Sequence, residues 1–196
     1  MFIHVLRGQN SKQKVYDLTF FATISHNIAF TTVECLKDRS NVEISRASVN
    51  VIKLYHSRGF KIKIINSENE FAYIKDSISD WDILLNVSSR SEHVPVIERR
   101  IRVIKERVRS IRHSLPFKIL PRIMIIEMVK YCIKWLNVFP SKGGINNMSP
   151  RTVMVGRNID YKLYFRLGFG TYVQTEEDHS NNLEERTTES ISLFPD

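Results

Sequence analysis

Asp17, Glu68 and Glu98 are the residues of this 196-residue sequence whose types and placement suggest chemistry. Asp17 falls within the first expected strand, Glu68 just after the expected strand over residues 60–65 and Glu98 at the start of a basic helix, and such positions can converge on one edge of a mixed sheet. Carboxylates gathered without a well-placed histidine base suit Mg²⁺ or Mn²⁺, because hard cations take oxygen ligands and can promote phosphodiester chemistry. With 21 acids in the chain, a triple at element ends also arises easily by chance. Glu98 adds a second clue, since Glu98, Arg102, Lys105, Arg109 and Arg112 follow one another at helical spacing. Cations in such a row neutralise phosphates, while the acid at its head holds a divalent ion. One position round, Ile97, Ile101, Ile104, Val108 and Ile111 form an apolar stripe, so a solvated amphipathic helix packed by its isoleucines is the plain alternative.

The elements that must position these acids follow from periodicity and turn chemistry. Residues 14–23 and 28–33 are β-prone runs separated by Ser25, His26 and Asn27. Ile44, Ala47, Val51, Ile52 and Tyr55 mark a helix after Ser40, with Gly59 as its C-terminal cap. Residues 60–65 alternate as a strand and lead into the polar turn that holds Glu68; a short helix over 70–77 and a strand over 81–87 come next. After the basic helix, residues 122–138 are apolar nearly all round, as in a buried helix or one that self-associates in an assembly module. A loop at 140–147, a short helix from Ser149 to Gly156 and a late strand over 169–174 complete an α/β or α+β layer domain with a mixed sheet.

The net charge of +8 is concentrated. Residues 93–134 hold eleven Lys or Arg against three acids, whereas residues 175–196 hold seven acids against one Arg and read as a disordered tail. A basic element suits nucleic-acid binding, although many proteins of high pI bind none. Cys35 and Cys132 sit among apolar neighbours, and are expected as buried free thiols of an intracellular protein. No zinc-ligand spacing, phosphate-binding glycine loop, Gly-x-Ser-x-Gly elbow, signal-peptide core or membrane-spanning run occurs in the sequence.

Several ordered segments together resemble the integrase catalytic core of copia-type long-terminal-repeat retrotransposons. They are residues 15–21, Glu70-Phe71, the run from His93 to Arg109, residues 136–140 with Lys142-Gly143-Gly144, residues 149–156 and residues 169–173. The resemblance implies an RNase H-like three-layer α/β domain with a mixed central sheet flanked by helices. It implies DNA strand transfer, the joining of element ends to target DNA, with one or two Mg²⁺ or Mn²⁺ ions. Asp17 matches the first metal-binding acid, Glu98 the third, and Glu68 stands where the family has its second Asp. Glutamate there carries the charge one methylene further out, and a misplacement of about 1 Å can cost on the order of 10²-fold in rate. Arg99, Arg102, Lys105, Arg109 and Arg112 would contact DNA. A homo-oligomer located in the nucleus or a cytoplasmic particle is implied as well. The expected organisation is a short N-terminal segment (1–13), the core (14–140), an extension with a late strand (141–175) and the acidic tail (176–196), with no His/Cys zinc module ahead of the core. A decayed fragment that retains nucleic-acid binding without catalysis is the alternative.

Overall fold

The computed structural model of the chain describes residues 1–8, 18–88, 95–140, 144–176 and 186–193. A five-stranded sheet forms from β1 (Phe2–Gly8), β2 (Leu18–Ile24), β3 (Thr31–Leu36), β4 (Ile64–Ser67) and β5 (Leu84–Val87), in the order β3-β2-β1-β4-β5. β1 pairs antiparallel with β2, and β2 with β3; β1 pairs parallel with β4, and β4 with β5. The parallel pairs require crossovers, and the first is made by α1 (Asn41–Ser57). In chain order the short α2 (Ile74–Ser77) precedes β5, and α3 (Pro95–Ser114) and α4 (Arg122–Val138) follow it. After these come α5 (Pro150–Val155), α6 (Tyr161–Tyr164) and a separate hairpin of β6 (Tyr172–Glu176) with β7 (Thr187–Ile191).

Both faces of β2 are covered, so its residues are buried without alternation. On one face Phe21 packs with Ile65 and with Ile44, Ala47, Val51 and Ile52 of α1. On the other, Leu18, Phe20, Ala22 and Ile24 meet Ile97, Ile101 and Ile104 of α3 and Val129 and Ile133 of α4. The result is three layers, helix, sheet and helices, around two apolar seams. α1 is delimited by its own sequence. The Ser40 hydroxyl accepts the Glu43 N–H at 3.3 Å, and Gly59 at φ +79° lets the Gly59 and Phe60 N–H groups bond to the carbonyls of His56 and Tyr55. Glu43 spans layers through Arg46, which also bonds Glu34 of β3 at 2.6 Å. Those hydrogen bonds from Arg46, followed by the Lys37 N–H, hold the Glu43 carboxyl down at about 2.

At the edge strand β3, the Asn137 side chain of α4 supplies what a neighbouring strand would. It accepts the Thr31 N–H at 2.8 Å and donates to the Thr31 carbonyl at 2.7 Å.

The structure corrects several expectations. Phe2–Gly8, placed in a separate N-terminal segment, is the central strand of the sheet, because it alone pairs with both β2 and β4. Thr187–Ile191, assigned to a disordered tail, pairs with β6. Cys132 is buried, with its thiol pushed up to about 12 by that burial, but Cys35 is only half-buried. The apolar surround of α4 is used inside the fold: Val129 and Ile133 face the sheet, while Met124, Met128 and Tyr131 pack with Leu120 and Phe169 in a third cluster. No described helix is long and apolar enough to cross a membrane.

Candidate nucleic-acid interface

Glu68 is the first residue beyond β4. Its carbonyl accepts the Phe71 N–H at 3.0 Å, closing a 3-10 turn over Asn69–Phe71, and Phe71, 1% exposed, anchors that turn in the α1-side core. Glu68 itself is half-buried. Within the sheet, Ser67 stands beside Ile3 of the central strand, so Glu68 leaves the sheet at the level of His4.

α3 opens on Pro95, where a missing N–H costs no helical hydrogen bond. Ile97, Ile101 and Ile104 lie between 0 and 6% exposed on the sheet and fix the rotation of the helix. Glu98, half-buried in the first turn, complements the helix dipole whatever else it does, as Arg112 and His113 do in the last turn. Arg99, Arg102, Lys105 and Arg109 are exposed and Arg112 is half-buried.

The cations divide between two flanks of the helix. Val96, Arg99, Arg100 and Val103 line a groove of about 440 Å³ together with Ile24, Ser25, His26 and Ala29 at the β2–β3 turn. Burial, and then the charge of Arg107, lowers the pKa of the Arg100 guanidinium. α3 packs on β1 and β2 with the flank of Arg99 and Arg100 at the β2–β3 turn, so Glu98, Arg102, Lys105 and Arg109, on the opposite flank, lie on the side of β4 and β5. There the sheet is open. Ile65 and Leu85 point into the α1-side core, leaving their neighbours Ile64 and Leu84 45% and 64% exposed on the α3 side. Next along the same face, Asn86 donates to the Asn66 side-chain oxygen at 2.9 Å. The cationic flank and the open half-sheet thus form the wall and floor of a shallow angle. Arg100 and the Asn66–Asn86 pair were not singled out by sequence reasoning. The repeated offset in Ile64-Ile65-Asn66 and Leu84-Leu85-Asn86 is the signal that could have found the amides.

Among the described residues no group of three His, Cys, Asp or Glu could hold an ion. Asp17 lies outside the described residues. Its chain neighbour Leu18 stands opposite Gly8, while Ser67, the neighbour of Glu68, stands beside Ile3. Five residues of β1 separate those levels, about 16 Å at the usual strand rise. β1 itself, Phe-Ile-His-Val-Leu-Arg-Gly, contains no carboxylate. Glu68 and Glu98 have the oxygen chemistry a hard cation needs.

No protein-family model matches the sequence, and no curated protein matches it. Solved structures do share the fold. The chain is similar to the catalytic core domain of BIV integrase, with a TM-score of 0.53 and 11% identity over 79% of this chain and 93% of that one. The catalytic core domain of HTLV-2 integrase, solved in complex with magnesium, matches in its dimeric form with a TM-score of 0.57 and 16% identity. Its trimeric form matches with a TM-score of 0.56 and 15% identity, and each form covers 78% of this chain and 93% of its own. The chain has the RNase H-like fold of the integrase cores.

Proposed function

We propose that the chain is a DNA-binding domain of the DNA-integration type, and that duplex DNA lies in the angle between the Glu98 flank of α3 and the open half of the sheet. The observation that carries this reading is the exposed row Arg102, Lys105 and Arg109 on the flank that borders that open face. Such a row matches a line of phosphates, and the Asn66–Asn86 amides beside it offer neutral hydrogen-bonding groups. The integrase fold of the neighbours supports the choice of DNA as ligand, and their dimeric and trimeric forms support self-association of this chain.

The finer reading is strand transfer of the integrase kind, with Asp17, Glu68 and Glu98 as ligands of Mg²⁺ or Mn²⁺. It requires Asp17 to complete what Glu68 and Glu98 leave open. A second reading is DNA binding that persists without catalysis. A strand-transfer assay in Mg²⁺ and in Mn²⁺ separates the two, using the parent, Asp17→Asn and Glu68→Asp. Joining of DNA ends that Asp17→Asn abolishes supports the triad. Intact DNA binding with no joining by the parent or Glu68→Asp supports the binding-only reading. Absence of any DNA binding removes both.

A further inference from the structure

We propose that Phe139, Tyr161 and Phe165 form a second nucleic-acid site, a platform on which unpaired bases of a single DNA strand stack. It takes the class of ligand from the proposed function but uses a different surface. The centroids of these rings lie 6.2 Å (Phe139–Tyr161), 6.2 Å (Phe139–Phe165) and 5.8 Å (Tyr161–Phe165) apart, with interplanar angles of 27°, 19° and 28°. Three near-parallel rings at the corners of a nearly equilateral triangle cannot be a stacked column, in which one distance would be twice the others. Trp135 backs the array, its centroid 4.1 Å from Phe165 and 5.4 Å from Phe139. Phe139 and Tyr161 nevertheless remain 43% and 49% exposed, so a braced aromatic surface is open to solvent.

The charges around the platform favour a polyanionic occupant. Lys134 and Arg151 sit over the Tyr164 ring at 4.6 and 5.4 Å, and Tyr164 adjoins Phe165. Lys162 and Arg166, both exposed, directly follow Tyr161 and Phe165 in the chain. The acid of this segment, Asp160, accepts the Lys162 N–H at 2.9 Å as a helix cap. Aromatic faces with cations at their rim are how single strands are held without sequence preference, since every base has a face to stack. The platform grows from the end of α4, which packs on the edge strand β3, whereas α3 packs on β2 and the central strand β1. One molecule can therefore hold a duplex and an unpaired strand on separate surfaces.

Fluorescence anisotropy with a labelled oligothymidylate tests the site. Tyr161→Ala and Phe139→Ala should each weaken binding about 5- to 150-fold, equivalent to about 1–3 kcal/mol of stacking per base. Tyr161→Phe should bind like the parent, and duplex affinity should not change in any of the three. Tyr161→Ala decides the matter if Phe139→Ala fails to fold, because Tyr161 is the more exposed ring. The triple variant Arg102→Gln, Lys105→Gln, Arg109→Gln, which tests the duplex surface, should lose duplex affinity and still show the Tyr161→Ala effect on the oligothymidylate. The proposal is overturned if the parent does not bind the oligonucleotide or if Tyr161→Ala binds it as the parent does. It is equally overturned if the alanine variants alter only sedimentation, which would mean that a second copy of the chain covers the rings.

Discussion

Replacing Arg102, Lys105 and Arg109 together by glutamine removes three cations from the Glu98 flank of α3 and leaves the buried Ile97, Ile101 and Ile104 in place. Seven residues separate the first cation from the last, about 10 Å at the helical rise per residue. Phosphates of one DNA strand recur every 3.4 Å or so along the duplex axis, so the row spans about three of them. Each neutralised phosphate contributes about 0.9 to the slope of log affinity against log salt, and the triple variant should lower that slope by about 2.7. Between 50 and 200 mM salt, the parent should then lose about 40-fold more affinity than the variant does. A duplex titrated by fluorescence anisotropy at several salt concentrations measures this directly. Thermal stability should hold nearly constant, because exposed substitutions cost within about 0.5 kcal/mol each. Removal of Lys53 of α1 and Arg58 just after it, both exposed across the sheet, controls for net charge and should leave the slope much closer to the parent's. An unchanged slope in the triple variant, or an equal fall in the α1 control, would refute placement of the duplex on this flank.

Three further predictions concern the framework that holds the flank in place. Asn137→Ala should destabilise the fold by about 2–4 kcal/mol in chemical denaturation, since it strands both the N–H and the carbonyl of buried Thr31. Ser67→Ala should be neutral or stabilising by up to about 1 kcal/mol, because the Ser67 hydroxyl is buried and finds no hydrogen-bond partner among the described residues; a loss of more than that would reveal a partner. Glu43 has a folded-state pKa of about 2, below its ordinary value of 4.5. Its contribution is therefore fully present above pH 4.5 and is lost as the pH falls from there toward 2. Denaturation curves across that window should fall less steeply for Glu43→Gln than for the parent, and parallel curves would count against the Glu43–Arg46 link.

What the sequence determined by itself is what depends on neighbours a few residues away. The isoleucine stripe at helical spacing specified both the existence of α3 and its orientation, and with them the flank that carries Glu98, Arg102, Lys105 and Arg109. Ser40 and Gly59 bracketed α1 because a hydroxyl cap and a positive φ are local requirements. The order of strands and helices was enough to suggest a mixed sheet between helical layers. Tertiary structure alone decided whatever rests on pairing between distant segments. Phe2–Gly8 is central only because β2 and β4 take its two edges, and nothing in its own seven residues reports that. Asn137 finds Thr31 across 106 residues of chain. The rings of Phe139, Tyr161 and Phe165 become one surface only when the segment after α5 returns to the end of α4. Glu68 shows the same division. Its place after a strand could be read along the chain, but its level against β1 follows from strand register, which shifts a residue by about 3.3 Å per step and is set by the whole sheet.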